Sequence, residues 1–319
     1  MAATPTPASW PQRAARHSPG GHRRRTLDAN LATEFVAAWL LSPSRTCYRD
    51  AMAMPQDLVL VRHGQSEANI IQKQRKEESH AVAPKGFFDR HDSRMRLSTL
   101  GVEQAEVTGV WLRREFPEGF DRYYVSSLAR TVETAGKLAI DGQWNIDDRW
   151  RERDWGEYGI LNANEQEDRY ELSRRLRTQS KWYWCPPGGE SLATGVRLRF
   201  EDILETMHRE LAGQRVIAVT HGETMEVARV VLERLMPEEW EQQERDDAFK
   251  LSNCQILHFS RSNPDTGEVG KRLEWRRSIC AWDESRSWND GVWTKLEHRR
   301  YSDEALLGLI KTYPRLLED

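Results

Sequence analysis

The stretch "LVLVRHGQSEAN", residues 58–69, runs four apolar residues straight into an arginine, a histidine and a glycine. Cation-capable side chains at the end of a buried run call for an anion to offset them. Planar guanidinium forks match phosphoryl oxygens two at a time. Two more clusters share this form: Ser126-Ser127 leading to Arg130, and Thr220-His221-Gly222. Together they supply two arginines and two histidines, a set suited to phosphoryl chemistry. A neutral imidazole nitrogen attacks phosphorus and carries the phosphate as a phosphohistidine. Gly64 would let the backbone approach closely, and the arginines would offset charge on the three equatorial oxygens of the transition state. This route requires no metal and no organic cofactor, and the chain has neither a Gly-rich Lys-Ser/Thr loop nor an Asp-rich metal cage.

The leaving alkoxide needs a proton, so a carboxylic acid should stand near the phosphate. "WRERDWGEYG", residues 150–159, mixes acids with aromatics and suits a carboxyl group in a partly desolvated loop. Glu152 and Asp154 are the candidates, and spacing does not choose between them.

These residues must be positioned by strands that end where helices begin. Short β-rich runs alternate with helical ones from Asp57 onward, the pattern of a mostly parallel sheet covered on both faces. Leu58 to Val61, Tyr123 to Val125, Arg215 to Val219 and Cys254 to Phe259 read as strands. Ser98 is placed to cap a helix striped by Val102, Ala105, Gly109, Leu112 and Phe116. Leu128, Val132, Ala135 and Ala139 mark a second helix; Val196, Phe200, Ile203, Met207 and Leu211 a third; Met225, Ala228, Leu232 and Leu235 a fourth. In such folds ligands bind beyond the carboxyl ends of the strands, at helix N-termini, so the three polar clusters should face one crevice.

Composition narrows the class. The 319 residues carry a net charge of −3, so no global field points to nucleic acid or a membrane surface. Four cysteines without a Cys-x-x-Cys pair argue against a zinc ribbon or a disulfide framework, and a reducing, cytoplasmic setting is the simplest expectation. The apolar run Phe35 to Leu41 is too short to span a bilayer. Residues 1–53, rich in Pro, Ala, Ser, Thr and Arg, read as a disordered extension, an over-long start upstream of Met52 or Met54, or a transit-like leader that would redirect the protein to an organelle. Residues 54–260 are expected to form the domain. Residues 261–319 are expected as a Trp-rich polar extension ending in a helix over Ser302 to Leu317, with Leu306, Leu307 and Ile310 packed inward, though a homodimer contact there is an alternative.

Residues 57 to about 260 resemble the histidine phosphatase superfamily, which includes phosphoglycerate mutases and many small-molecule phosphatases. "RHGQSEAN" is similar to the opening Arg-His-Gly-x-Ser-x-x-Asn motif, "SSLARTVETA" to the second block, "WRERDWG" to the acid loop and "VTHGET" to the last block. The resemblance implies a three-layer α/β/α sandwich with a mostly parallel central sheet. It also implies that His63 is the phosphorylated nucleophile, with Arg62, Ser66, Asn69 and Arg130 around the phosphate. His221 becomes the second pocket histidine, and the register of the acid loop selects Glu152 as general acid and then base. Each match has a plainer alternative: caps at Ser66, Asn69 and Ser126, a surface pair between Arg130 and Glu133, and a salt-bridge network around Glu152.

Two departures bear on specificity. Gln65 replaces the glutamate often found after the glycine. Between Asn69 and Leu97 the chain carries a basic insert, residues 70–96, in a region that overhangs the pocket in the family. Gln65, Arg90, Arg94, Arg96 and, in "CPPGGESL", Glu190 are therefore candidate substrate contacts. The basic insert suggests a ligand with more negative charge than one phosphate, such as a sugar bisphosphate or a nucleotide; a solvated loop is the alternative. "CPPGGESL" also resembles a segment of hydrolytic members, so the expectation is a metal-independent phosphomonoesterase for a small phosphorylated metabolite. Mutase-type phosphotransfer is the alternative within the family, and a non-catalytic phospholigand-binding scaffold the alternative outside it.

Overall fold

A computed structural model describes residues 53–77, 83–87, 89–159, 161 and 163–317 of the chain. The expectation for residues 1–53 falls almost wholly outside these described residues. The apolar run before Arg62 forms β1 (Asp57–Arg62), in which Leu58, Val59, Leu60 and Val61 have no exposed surface at all. Leu58 and Leu60 pack into one hydrophobic cluster and Val59 and Val61 into another, so the strand is covered on both faces. A three-layer α/β/α arrangement follows from that alternation.

The other strands are β2 (Arg122–Val125), β3 (Trp144–Ile146), β4 (Arg215–Thr220), β5 (Ile256–Ser260), β6 (Trp275–Ile279) and β7 (Thr294–Lys295). They form one sheet in the order β3-β2-β4-β1-β5-β6-β7. The four strands from β3 to β1 run parallel, and β5, β6 and β7 add antiparallel. Eight α-helices among the described residues complete the layers: α1 (Glu67–Glu77), α2 (Thr99–Glu115), α3 (Ala129–Leu138), α4 (Ala163–Gln179), α5 (Arg197–Glu210), α6 (Gly222–Glu233), α7 (Pro237–Glu244) and α8 (Asp303–Ile310). None is long and apolar enough to cross a membrane.

Helix α2 begins as expected, with the Ser98 hydroxyl accepting from the Gly101 N–H. Helix α5 buries Val196, Phe200, Ile203, Met207 and Leu211 at its ends and along one face. Helix α3 departs from its expected stripe: Val132 and Ala139 are exposed, and Arg130, Thr131, Thr134, Ala135 and Leu138 are buried. Its polar side chains turn inward because backbone carbonyls receive them, Thr131 bonding to Leu128 and Ser126 and Thr134 to Arg130.

The segment after 260 is more than an extension. Strand β6 pairs with β5 over five residues, from Ile256↔Ile279 to Ser260↔Trp275, so the sheet continues through it. The apolar side chains of α8 also depart from expectation, since Leu306, Leu307 and Ile310 are all exposed.

Candidate active site

Strands β2, β4 and β1 are neighbours, and their carboxyl ends lie level: Arg62 pairs with Thr220 and Val125 with Val219. Each passes directly into a helix, β1 into α1, β2 into α3 and β4 into α6. The three polar clusters therefore converge. A cavity of about 410 Å³ opens there, lined by Arg62, His63, Ser66, Asn69, Arg130 and Glu152 among others. All six were expected at the site from sequence.

His63 is held by main-chain and ring hydrogen bonds, among them one from the Cys254 N–H to its carbonyl at 3.2 Å. Its N–H donates to the Thr220 carbonyl at 3.0 Å, its carbonyl accepts from the Asn253 side chain at 3.1 Å, and its ring Nδ1 lies 2.7 Å from the Gly64 carbonyl. A carbonyl only accepts, so Nδ1 carries the hydrogen and Nε2 keeps its lone pair. Burial, with Arg130 and Arg62 nearby, pushes the imidazole well below its usual range, and the ring is neutral at physiological pH. His221 sits behind it, fully buried, with ring centroids 5.1 Å apart. Burial and the same arginines keep His221 neutral too. Its Nε2 bonds to Ser126 Oγ at 2.8 Å.

The arginines approach from two sides. Arg62 donates from Nη1 to the Leu251 carbonyl at 2.5 Å, and Arg130 donates to the Asp92 carbonyl at 3.0 Å and to its Oδ2 at 2.9 Å. Buried Arg62 Nε and His221 Nδ1 have no protein partner among the described residues. An unpaired buried guanidinium N–H on Arg62 beside a cavity marks a place for an acceptor-bearing ligand. Ser66 and Asn69 do cap locally, Asn69 Oδ1 accepting from both the N–H and the hydroxyl of Ser66, and they also line the cavity.

Glu152 lines the same cavity as the arginines. Burial and the neighbouring Glu223 carboxylate raise it to about 7, against the opposing pull of Arg130 and Arg62. It is therefore a carboxyl group able to give and to take a proton near neutrality. Asp154, the other sequence candidate, is exposed, and its carboxylate accepts from the Gly156 N–H at 2.8 Å.

The candidate substrate contacts are not at the cavity wall. Gln65 is tied by its side-chain oxygen to Ser98 at 2.8 Å. Arg90 pairs with Glu67 at 3.2 Å, Arg96 with Glu133 at 2.5 Å, and Arg94 is exposed away from the lining. Acids on α1 and α3 attract these arginines outward, and the insert presents Asp92 to the cavity instead. Glu190 is a brace for the acid loop: it accepts from Arg151 at 2.5 Å, from Arg199 at 2.9 Å and from the Asp154 N–H at 3.1 Å.

Sequence reasoning missed Asp92, Glu223 and Asn253. Glu223 lies inside "VTHGET" and was legible by position. Asn253 bonds both to the His63 carbonyl and to Asn69 at 3.1 Å, and its own carbonyl accepts from Trp282 Nε1 at 2.7 Å.

The model of the histidine phosphatase superfamily (branch 1) matches residues 58–266. The chain belongs to this superfamily. Histidine phosphatases are enzymes, and the four sequence blocks fall within the matched span. The 2,3-bisphosphoglycerate-dependent phosphoglycerate mutase of Sinorhizobium fredii is 32% identical over 193 residues, 58% of this chain and 83% of that one. The same enzyme of Methylorubrum extorquens is 29% identical, over 56% of this chain and 80% of that one. Among solved structures, the alpha-ribazole phosphatase of Shigella flexneri superposes with a TM-score of 0.51 at 17% identity, covering 68% of this chain and 96% of that one; the likeness is one of fold.

Proposed function

We propose that this histidine phosphatase family member hydrolyses a small phosphomonoester through a phosphohistidine on His63. One observation carries the reading: a neutral imidazole with a bare Nε2 lies on the same cavity wall as two guanidinium groups and a carboxyl that titrates near 7. Nε2 attacks phosphorus while Arg62 and Arg130 hold the equatorial oxygens. The bond to the ester oxygen breaks, and protonated Glu152 gives that oxygen its proton. Glu152, now a carboxylate, takes a proton from water as the water's oxygen attacks the phosphohistidine. Inorganic phosphate leaves, and His63 and Glu152 return to their starting states. The α6 N-terminus opens at Gly222 on the cavity wall and supplies further positive potential, with neutral His221 packed behind His63.

Purified protein and its His63→Ala variant with p-nitrophenyl phosphate test this directly, with rapid-quench mass spectrometry locating the phosphoryl adduct. Hydrolysis undiminished by the substitution, or an adduct elsewhere, overturns the proposal. Return of the phosphate to a phosphoglycerate is the second reading, favoured by the mutases at 29% to 32% identity. Isomerisation of 3- to 2-phosphoglycerate distinguishes it.

A further inference from the structure

Away from Arg62, Arg130 and His63, the described cavity wall is acidic. Asp92, Glu223, Glu226, Glu244 and Asp247 line it, against only two further cations, Lys181 and Lys250. Both lysines already face carboxylates on that wall, Lys181 with Glu244 at 2.6 Å and Lys250 with Asp247 at 3.6 Å. Glu226 is offset from behind the wall by Arg229 at 2.9 Å, and Glu223 by Arg153 at 3.5 Å. Asp92 is held by Arg130 itself. Once a phosphate takes the two arginines, every remaining cation among the described wall residues is matched to an acid. A second anion on the substrate would find no uncommitted cation on this rim, only carboxylates already paired.

What the rim does offer is hydrogen bonding and apolar faces. Carboxylates accept from hydroxyls, the lysines donate to them, and Trp155 and Phe249 present half-buried rings to the same space. We infer that the alcohol part of the substrate is uncharged and hydroxyl-bearing, and that the carboxylate rim with Asp92 as its inner member rejects phosphoesters bearing a second anion. This rests on the hydrolytic reading above and replaces the bisphosphate or nucleotide expected from the basic insert.

The test compares glycerol phosphate and glucose 6-phosphate with 3-phosphoglycerate and fructose 1,6-bisphosphate, using the full chain at fixed low salt. The expected kcat/KM is at least about tenfold higher for the first pair, with the gap narrowing as salt is raised. Asp92→Asn and, separately, Asp247→Asn should each raise the relative rate on the anionic pair by about threefold or more. The second variant keeps the test sound if the first disturbs Arg130. Equal or better turnover of 3-phosphoglycerate or fructose 1,6-bisphosphate by the unsubstituted protein overturns the inference. Calorimetric binding of the same four compounds to the His63→Ala protein reads the preference without turnover, so absence of hydrolysis would count against the catalytic proposal alone.

Discussion

The Asp92 carboxylate and the Arg130 guanidinium meet at 2.9 Å on the wall of the candidate active site, and the Asp92 carbonyl receives a second donor from the same arginine at 3.0 Å. Arg130 has five N–H donors, so two fixed bonds orient the fork and leave three for a ligand. Lysine in its place would keep the charge and lose the fork. Arg130→Lys is expected to lower kcat/KM on p-nitrophenyl phosphate by about 10²–10³, the usual effect of removing one preorganised donor. Steady-state kinetics beside a thermal melt separate this from loss of folding.

The pH profile follows from two shifted groups. Glu152, raised to about 7, must be protonated to serve as the acid, so kcat/KM should fall as pH rises through about 7. His63, pushed well below its usual range, must be neutral to attack, so the acid limb should lie well under 6.5. Glu152→Gln is expected to remove the upper limb and lower kcat by about 10²–10⁴. A limb near 7 that survives the substitution would assign it to another group.

Gly64 has no room for a side chain. A Cβ there would stand 2.3 Å from the Gly101 carbonyl oxygen, which is backbone and unable to turn aside. Gly64→Ala is expected to destabilise the fold by about 2–4 kcal/mol, through the overpacking and backbone shift it forces. Urea denaturation followed by tryptophan fluorescence measures it.

Arg229 is wholly buried, with Glu226 at 2.9 Å, Glu233 at 3.3 Å and its guanidinium 4.7 Å from the Trp288 ring. Removing it strands the Glu226 carboxyl without an ion-pair partner, while Glu233 keeps Arg276 at 3.0 Å. Arg229→Ala should cost about 3–5 kcal/mol. Chemical denaturation against the unsubstituted protein gives the figure.

Glu190 acts on the reaction through the acid loop. Glu190→Ala releases Arg151, Arg199 and the Asp154 N–H together. The expected result is a fall of about tenfold or more in kcat with a smaller change in KM, and a displaced upper limb in the pH profile. Glu190→Gln, which keeps an acceptor, should recover part of the loss.

Much of the candidate site was legible because its chemistry sits at strand ends, where an apolar run stops at a charged residue. Elsewhere polarity misled. In β6 the buried positions are Arg276 and Ser278, so the strand shows no apolar alternation; Arg276 is accommodated by Glu233 at 3.0 Å and by the Trp288 ring. In α3 the inward face mixes Arg130, Thr131 and Thr134 with Ala135 and Leu138, so Val132 and Ala139 of the apolar stripe are left outside. The arginines of the insert gave a correct count of charge but no direction, since their partners, Glu67 and Glu133, belong to helices distant in the chain.

The Trp282 bond to the Asn253 carbonyl has a practical consequence. Asn253 in turn grips the main chain of His63, so a residue sixteen positions past the end of the family match steadies the nucleophile's loop. Trimming the chain to its recognisable homology would strip away this buttress together with the last two strands, and work on a minimal fragment should begin no shorter than the Trp-rich segment.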